Sequence, residues 1–296
     1  MSKLSPPISE TMQAGDAALQ PNAWRAAGAL CLREIVRVFR QRSRAISSIG
    51  MPVIFWLLFG AGLSRTFVLP GGAAGGAEGT QQTFLQYYFP GSLVLILLFT
   101  AIFSSISIIE DRREGFLQSV LVAPIPRWSM VLGKLLGGTF IAVFQGLIFL
   151  VLALTLQVRI SPGALVQLVL LLAATSLALA GLGFIIAWRM DSTQGFHAVM
   201  NLMLMPLWLL SGGFFPTPTI GPDAHLSDYV LNGAMRVNPL SYSVAGVRQL
   251  LYGQMPAAGV WMPSLGACWL VTLVFAAAMF LLAVRIARQP VAGDLL

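Results

Sequence analysis

Charged residues are scarce in this chain of 296 residues: Asp, Glu, Lys and Arg together make up only 10% of it, whereas hydrophobic residues make up 57%. Soluble domains carry roughly a quarter charged residues, so the composition excludes an ordinary soluble domain and indicates an integral membrane protein. The apolar residues come in long blocks and not in short alternating segments, which favours membrane helices over barrel strands.

The long apolar blocks themselves contain no Asp, Glu, Lys or Arg. Six blocks are long enough to cross the hydrocarbon core as a helix, which takes about 20 residues: 45–63, 84–109, 135–158, the segment that follows Arg159 up to Trp188, 196–215 and roughly 259–284. Ion-coupled carriers and pumps place ionisable residues within their spans. His197 is the only titratable imidazole there, and we interpret it as a helix-packing residue.

Catalytic and metal-binding patterns are also missing. The sequence has no HExxH, no carboxylate pair within the spans and no GxxxxGK[ST] phosphate-binding loop. Its two cysteines lie in a basic segment and in a span, which argues against a disulfide between them. We therefore expect no enzyme activity, no bound cofactor and no metal site. A net charge of +7 fits basic loops retained on the cytoplasmic side better than it fits a nucleic-acid partner.

Basic residues are distributed very unevenly between the two sides of the predicted helices. With the N-terminus inside, 14 of the 18 Lys and Arg residues fall on the cytoplasmic side. This bias predicts a multi-pass protein of the cell (inner or plasma) membrane with both termini in the cytoplasm. The predicted parts are a flexible tail (1–21), an amphipathic helix (22–44), a six-span transmembrane domain (45–288) and a C-terminal tail (289–296).

Three segments outside the predicted spans carry a pattern of their own. In 22–44, apolar residues recur at helical spacing and arginines fill much of the remainder, which predicts an amphipathic helix on the inner leaflet; the apolar positions are Trp24, Ala27, Cys31, Ile35, Val38 and Phe39. The external segment 216–258 predicts one or two short helices that lie at the interface or dip partway into the membrane.

The third segment is the loop EDRREGFLQSVLVAP, where a short helix is predicted over about 110–123. Its apolar residues Phe116, Leu117, Val120 and Leu121 share one face, and Pro124 and Pro126 end it. Carboxylates cluster at its predicted N-terminal end, where they favour the helix dipole. Such a helix either docks in a groove of a partner protein or rests on the lipid surface. The charges lie at one end of the predicted helix and form no basic face. This arrangement favours a protein partner over the lipid surface.

Three stretches carry a family resemblance. YYFPGSLVLILLFTAIFSSISIIEDRREGFLQSVLVAPIPRWSMVLGK resembles the second span and following loop of the membrane subunit of ABC-2 type transporters. MNLMLMPLWLLSGGFFP (200–216) resembles the fifth span of that family, and NPLSYSVAGVRQLLYG (238–253) resembles its external segment. Each motif is weak alone, but the three occur in the right order on six spans, and the resemblance covers nearly the whole chain after about residue 22.

The resemblance implies a dimer, formed with a second copy of the chain or a paralogous permease, above two copies of a separate ATPase that bind ATP and Mg²⁺. It implies an ATPase-coupling helix made of Glu110, Asp111, Arg112, Arg113, Glu114, Phe116, Leu117 and Val120. It further implies an interface helix with Arg33, Glu34, Arg37 and Arg40, and a translocation path past Met203, Pro206, Ser211, Phe214 and Phe215.

The sequence is thus interpreted as an all-α membrane permease subunit that exports amphipathic drugs, lipids or lipid-linked glycans. Two other classes stay open. An ATP-independent carrier or channel would need ionisable residues or polar rings in the spans. A membrane scaffold protein would not need a proline-bounded docking helix. The glycines Gly137, Gly138, Gly181 and Gly183 are predicted to let helices approach closely.

Overall fold

Helices account for all regular structure in the residues that the computed structural model of the chain describes, which are 22–40, 84–156, 158, 160–218, 220, 224–253, 261–289 and single positions between 50 and 62. The predicted tail 1–21, most of the first predicted span and residues 290–296 lie outside that part. The helices are α1 (Ala23–Arg40), α2 (Phe84–Ser104), α3 (Ile106–Arg113), α4 (Phe116–Val122), α5 (Arg127–Leu150), a 3-10 turn (Val151–Leu156), α6 (Pro162–Trp188), α7 (Thr193–Leu209), α8 (Leu226–Val237), α9 (Pro239–Tyr252) and α10 (Leu265–Ala287).

Four helical stretches in the described residues are long and apolar enough to cross a membrane: Phe84–Arg113, Arg127–Leu154, Pro162–Trp188 and Leu265–Ala287. They coincide with the second, third, fourth and sixth predicted spans. Two of them start at a serine whose hydroxyl accepts a backbone N–H three residues later, Ser161 before α6 and Ser264 before α10. These N-caps satisfy a donor that the first helical turn leaves free.

The fifth predicted span is shorter than expected. The sequence predicted a crossing over 196–215, but α7 ends at Leu209 after 17 residues, which is about 25 Å of helix against a hydrocarbon core of about 30 Å. The residues that follow form a tight turn, in which Gly212 has a φ of 72°. A left-handed residue of this kind ends a helix and turns the chain back.

The predicted helix over 110–123 is also two pieces. Glu110 to Arg113 form the last turn of α3, which continues the direction of the second span, and α4 begins only at Phe116. Gly115 lies between them with a φ of 76°. The acidic residues Glu110 and Asp111 therefore lie at the C-terminal end of a helix and not at an N-terminal end, where the dipole would have favoured them.

Helix α1 packs along α5 through a groove of small residues. A Cβ at Gly133 would lie 2.5 Å from the carbonyl oxygen of Ala27, and one at Gly137 would lie 2.6 Å from the Cβ of Glu34. Two glycines four residues apart let helix backbones approach this closely. The buried side of α1 is thus Ala27, Leu30 and Glu34, while Trp24 of the predicted apolar face is 68% exposed.

The centre of the bundle is α2, which buries 16 of its 21 residues and packs against both α5 and α6. The predicted packing role of the glycines fits this arrangement: Gly138 touches Ser104, Gly183 touches Ile102 and Gly181 touches Met279 of α10. The helices α2 and α3 together run between two ends of the bundle. We call the end around Asp111 the charged end and the end around Tyr88 the aromatic end.

Candidate functional site: a buried ion-pair cluster and an aromatic turn

Asp111 is the centre of the charged end. It is 0% exposed and accepts hydrogen bonds from both terminal nitrogens of Arg33, at 2.9 and 2.6 Å. Arg37 donates to it at 2.9 Å and Lys134 at 2.5 Å. Burying a carboxylate without partners is prohibitively unfavourable, so these three cations fix where α3 meets α1 and α5.

A second carboxylate completes the cluster. Glu34 of α1 is 3% exposed, and its Oε1 accepts from the Nζ of Lys134 at 2.9 Å. Arg37 also pairs with Glu110 at 2.7 Å. We call Arg33, Glu34, Arg37, Glu110, Asp111 and Lys134 the ion-pair cluster. The hydrogen bonds to Asp111 raise the pKa of the Arg33 guanidinium above its ordinary value, against the opposing effect of its burial, so Arg33 stays charged in this environment.

The last residues of α3 also bind the chain at the C-terminal end of α6. Arg112 donates to the carbonyl oxygens of Trp188 at 2.6 Å and Met190 at 3.2 Å, and Arg113 donates to that of Asp191 at 2.9 Å. Cations stabilise the free carbonyls at the C-terminus of a helix. Both arginines, which the resemblance assigned to contacts with an ATPase, are therefore engaged within this chain.

The apolar face of α4 is engaged in the same way. Leu117 is 2% exposed, and Phe116 and Val120 pack against the core. The guanidinium carbon of Arg33 lies 3.7 Å from the centre of the Phe116 ring, which is a cation–π contact. The prediction placed this face against a partner; in the structure it lies on the chain's own core. Glu114 and Val122, the latter 84% exposed, are left at the surface of the loop.

At the aromatic end, the turn 211–215 closes on α2. The backbones of Gly91 and Gly213 are in contact, and the indole N–H of Trp208 donates to the Gly91 carbonyl at 2.9 Å. The ring of Phe214 lies edge-on to that of Tyr88 at 5.3 Å between centroids. Aromatic packing of this kind is favourable beyond the area it buries, so the turn is a fixed part of the bundle.

Helix α9 supplies the hydrogen-bond donors that the end of α7 requires. Asn238 donates to the carbonyl of Leu207 at 2.6 Å, Ser241 to that of Leu210 at 3.1 Å and Arg248 to that of Gly212 at 3.1 Å. The last carbonyls of a helix have no partner within it. Side chains of α9 and of its N-cap residue therefore satisfy the carbonyl oxygens at the end of α7, which allows α7 to end early.

The predicted path residues are spread over different environments. Phe214 and Ser211 are in the turn, and Ser211 is buried with its hydroxyl donating to the Trp208 carbonyl. Met203 and Phe215 are 42% and 54% exposed, and Pro206 is exposed on α7. The structure thus brings three of the five, Ser211, Phe214 and Phe215, together in the turn at the aromatic end.

Sequence reasoning missed Lys134 and Arg248 as site residues. It counted Lys134 as a loop cation and Arg248 as an external charge, whereas they are 6% and 8% exposed. Their partners are distant in sequence, so spacing alone gave no signal. Arg40 of the predicted interface helix is exposed at the end of α1. No group of three metal-ligating side chains occurs in the part of the chain that the structure describes.

Known proteins with similar sequences are membrane transport permeases. The family model described as ABC-2 type transporter matches residues 25–252. The chain is 25% identical over 231 residues to the inner membrane transport permease YadH of Escherichia coli K12, covering 76% of this chain and 82% of that one. It is 25% identical over 229 residues to the daunorubicin resistance ABC transporter permease protein DrrB1 of Streptomyces coeruleorubidus, covering 75% of this chain and 72% of that one.

Proposed function

Because the chain belongs to the ABC-2 type transporter family, we propose that it is the membrane permease subunit of an ATP-driven exporter and that its charged end receives the force of a separate ATPase. ATP and Mg²⁺ bind that ATPase and not this chain. The charged end and both termini face the cytoplasm, in keeping with the excess of basic residues there. Two ATPase copies act on two permeases, the second being another copy of this chain or a paralogue.

The observation that carries the proposal is the ion-pair cluster. A force applied to a loop moves a membrane helix only if the loop, the helix and its neighbours move together. Asp111 and Glu34 are buried between cations from α1 and α5, so α1, α3 and α5 form one stiff unit. The loop at its tip is also fixed to α6 through Arg112.

The structure changes which residues we propose as the contact with the ATPase. Because Leu117 and Phe116 lie on the core, the ATPase meets the opposite side of the loop. That side carries the exposed residues Glu114, Gln118, Ser119 and Val122. An apolar side chain as exposed as Val122, next to polar neighbours, suits a small interface with one buried anchor.

Candidate substrates are amphipathic drugs, lipids and lipid-linked glycans. The drug class is supported by the relative named for daunorubicin resistance. The proposed path runs beside the turn 211–215, where the partly exposed Phe214 and the exposed Phe215 are supported by the buried rings of Tyr88 and Trp208. Export is the direction that the family resemblance implies.

Replacing Val122 by Asp tests the proposal. Val122 is 84% exposed, so the change should leave the fold intact but place a charge in the ATPase interface. Co-purification with the ATPase encoded nearest to this chain, together with vanadate-sensitive ATP hydrolysis, is expected to fall at least about tenfold, which corresponds to about 1.4 kcal/mol. Val237→Asp is a matched control, because Val237 is equally exposed on α8.

Two results would contradict the proposal. If no ATPase co-purifies with the native chain, the carrier and scaffold alternatives become the better explanations. If an ATPase binds the native and Val122→Asp proteins equally well, the loop is not the contact surface. A loss in both Val122→Asp and Val237→Asp would show that the added charge acts on folding and not on the interface.

A further inference from the structure

Arg248 is a buried cation at the aromatic end, and it has no carboxylate partner among the residues that the structure describes. It is 8% exposed, and its hydrogen bonds go to backbone carbonyls, those of Gly212 at 3.1 Å and Tyr87 at 3.3 Å. Its guanidinium carbon lies 4.3 Å from the centre of the Tyr87 ring. Carbonyl dipoles and a ring face stabilise a cation without neutralising it. Arg248 therefore places a full positive charge inside the protein, in contrast to the balanced ion-pair cluster at the other end.

Two hydrogen-bond donors at this position are unused. The Nε of Arg248 and the hydroxyl of Tyr252 are both buried, and neither has a hydrogen-bond partner in the described part of the chain. Residues four apart on a helix lie on the same face, so the two donors neighbour each other on α9. Burial raises the pKa of the Tyr252 phenol, although the Arg248 charge opposes the rise. The hydroxyl therefore keeps its proton and remains a donor.

A cluster of aromatic rings adjoins these donors, buried at Phe84 and Tyr87 and reaching the surface at Phe214 and Phe215. The Tyr87 ring that Arg248 covers is 6.5 Å from the ring of Phe84, and Phe84 lies 6.0 Å from Phe214 between centroids. Phe214 belongs to the turn 211–215, whose Gly212 carbonyl Arg248 binds. Positive charge, free N–H and O–H donors and aromatic rings thus occur side by side. This combination is complementary to a molecule with an anionic group on an apolar body.

We propose that Arg248 and Tyr252 bind the anionic group, a phosphate or carboxylate, of an amphipathic substrate whose apolar part packs against the turn 211–215, at the partly exposed ring of Phe214 and the exposed ring of Phe215. The inference rests on the proposed function, since it assumes that the aromatic end borders the transport path. It deepens that function by stating a charge for the substrate. Anionic amphipaths are bound, whether they are drug-like, lipids or lipid-linked glycans, and cationic ones are not.

Tyr252→Phe is the most informative variant, because it removes only a hydroxyl that has no hydrogen-bond partner among the described residues. If the hydroxyl has a purely structural role, the change alters nothing or slightly stabilises the fold, since an unsatisfied buried donor is lost. The probe is radiolabelled dodecyl phosphate, and the full-length permease is reconstituted alone in phosphatidylcholine nanodiscs. We expect Tyr252→Phe to weaken binding of the probe about tenfold, as expected for loss of one hydrogen bond to a charged group.

Tyr242→Phe is the control on the same helix. Tyr242 contacts Trp261 at 5.4 Å between ring centroids, so its variant should bind the probe as the native protein does. Thermal unfolding of both variants is measured alongside binding. Competition with unlabelled dodecyltrimethylammonium and with inorganic phosphate identifies the feature that is recognised. The cation should not compete, and inorganic phosphate should compete at least about a hundredfold less well than dodecyl phosphate, because it lacks the apolar chain.

The proposal is overturned if Tyr252→Phe binds dodecyl phosphate as tightly as the native protein, or if the cationic amphipath competes equally. Equal competition by inorganic phosphate would also overturn it, because the site would then hold a free anion and no amphipath. No ATPase is present in this assay. A failure here is therefore distinct from a failure of the Val122→Asp experiment, which tests the coupling of the chain to an ATPase.

Discussion

Asp111 shows how one residue at the charged end can hold several helices together. Its carboxylate is fully buried and faces cations from α1 and α5. A buried ion pair adds little net stability compared with well-packed apolar residues, but removing one partner leaves the others uncompensated. The cluster therefore makes the arrangement of the helices specific, and its members cannot be replaced one at a time without a large loss.

We predict that Asp111→Asn lowers the free energy of unfolding in detergent by about 3–5 kcal/mol, because Arg33, Arg37 and Lys134 would keep their charges without the central carboxylate. Glu114→Gln is the matched control in the same loop. The Glu114 side chain is 64% exposed and lies 3.9 Å from Arg37, so its change should cost less than about 0.5 kcal/mol. Denaturant titration of both proteins measures the difference, and equal losses would show that burial of Asp111 does not matter.

The members of the cluster also show what a sequence does and does not reveal about single residues. The group of charges at 110–114 was visible as an anomaly in an apolar chain, and the structure places a functional candidate there. The residues that pair with these charges could not be identified from the sequence. Lys134 follows Asp111 by 23 positions and Glu34 precedes Lys134 by 100. Local spacing cannot encode which distant helix comes alongside, so the burial of Lys134 and of Arg248 appeared only in three dimensions.

At the scale of helices, the two glycines of α5 determine how closely α1 approaches. Gly133→Ala would place a methyl group 2.5 Å from a backbone oxygen of Ala27, which must move α1 outward. We predict a loss of about 1–3 kcal/mol in the free energy of unfolding, as is typical of overpacking. Gly28→Ala, on α1 itself, meets nothing within 4 Å and should stabilise the protein by about 0.5–1 kcal/mol.

Labelling of Cys31 with a maleimide at neutral pH reports on α1 directly. Burial, together with the nearby Glu34 carboxylate, raises the pKa of the Cys31 thiol, so the reactive thiolate is rare while α1 is packed. Displacement of α1 in Gly133→Ala should lower that pKa and speed labelling, whereas Gly28→Ala should not. Cys268 is buried in α10 and serves as an internal reference. Unchanged labelling in Gly133→Ala would mean that the contact between α1 and α5 is dispensable.

Helices were predicted well from hydrophobicity where lipid or core surrounds them, and less well where other side chains decide their ends. The all-helical class was confirmed, and four of the six predicted spans coincide with helices long and apolar enough to cross a membrane, because long apolar runs leave no alternative there. The end of α7 was placed too late, since its last carbonyls are satisfied by Asn238 and Ser241 of a later helix. The single loop helix was wrong because Gly115, with its positive φ, separates α3 from α4.

At the scale of the whole molecule, α2 and α3 connect the two sites. From Gly91, which touches the turn at Gly213, to Asp111 in the ion-pair cluster is 20 residues, or about 30 Å of helix. The stretch Phe84–Arg113 is the most buried of the four candidate spans. One packed element thus links the charged end to the aromatic end, which is the physical route that the proposed ATP-driven movement requires.

A double-mutant cycle between the two ends tests this route. Arg33→Lys loses the two-point contact with Asp111, and Trp208→Phe loses the hydrogen bond to Gly91. The sites are far apart and share no partner, so their effects on the free energy of unfolding should add within about 0.5 kcal/mol. Their effects on ATP-driven transport in proteoliposomes should not add. Once the helix no longer moves rigidly with one end, less of the displacement reaches the other end, and a second loosening there has little further effect. We expect the double variant to transport no more slowly than the slower single variant. If the two losses in transport rate multiply instead, the two ends act independently, and α2 is a structural support without a part in transmission.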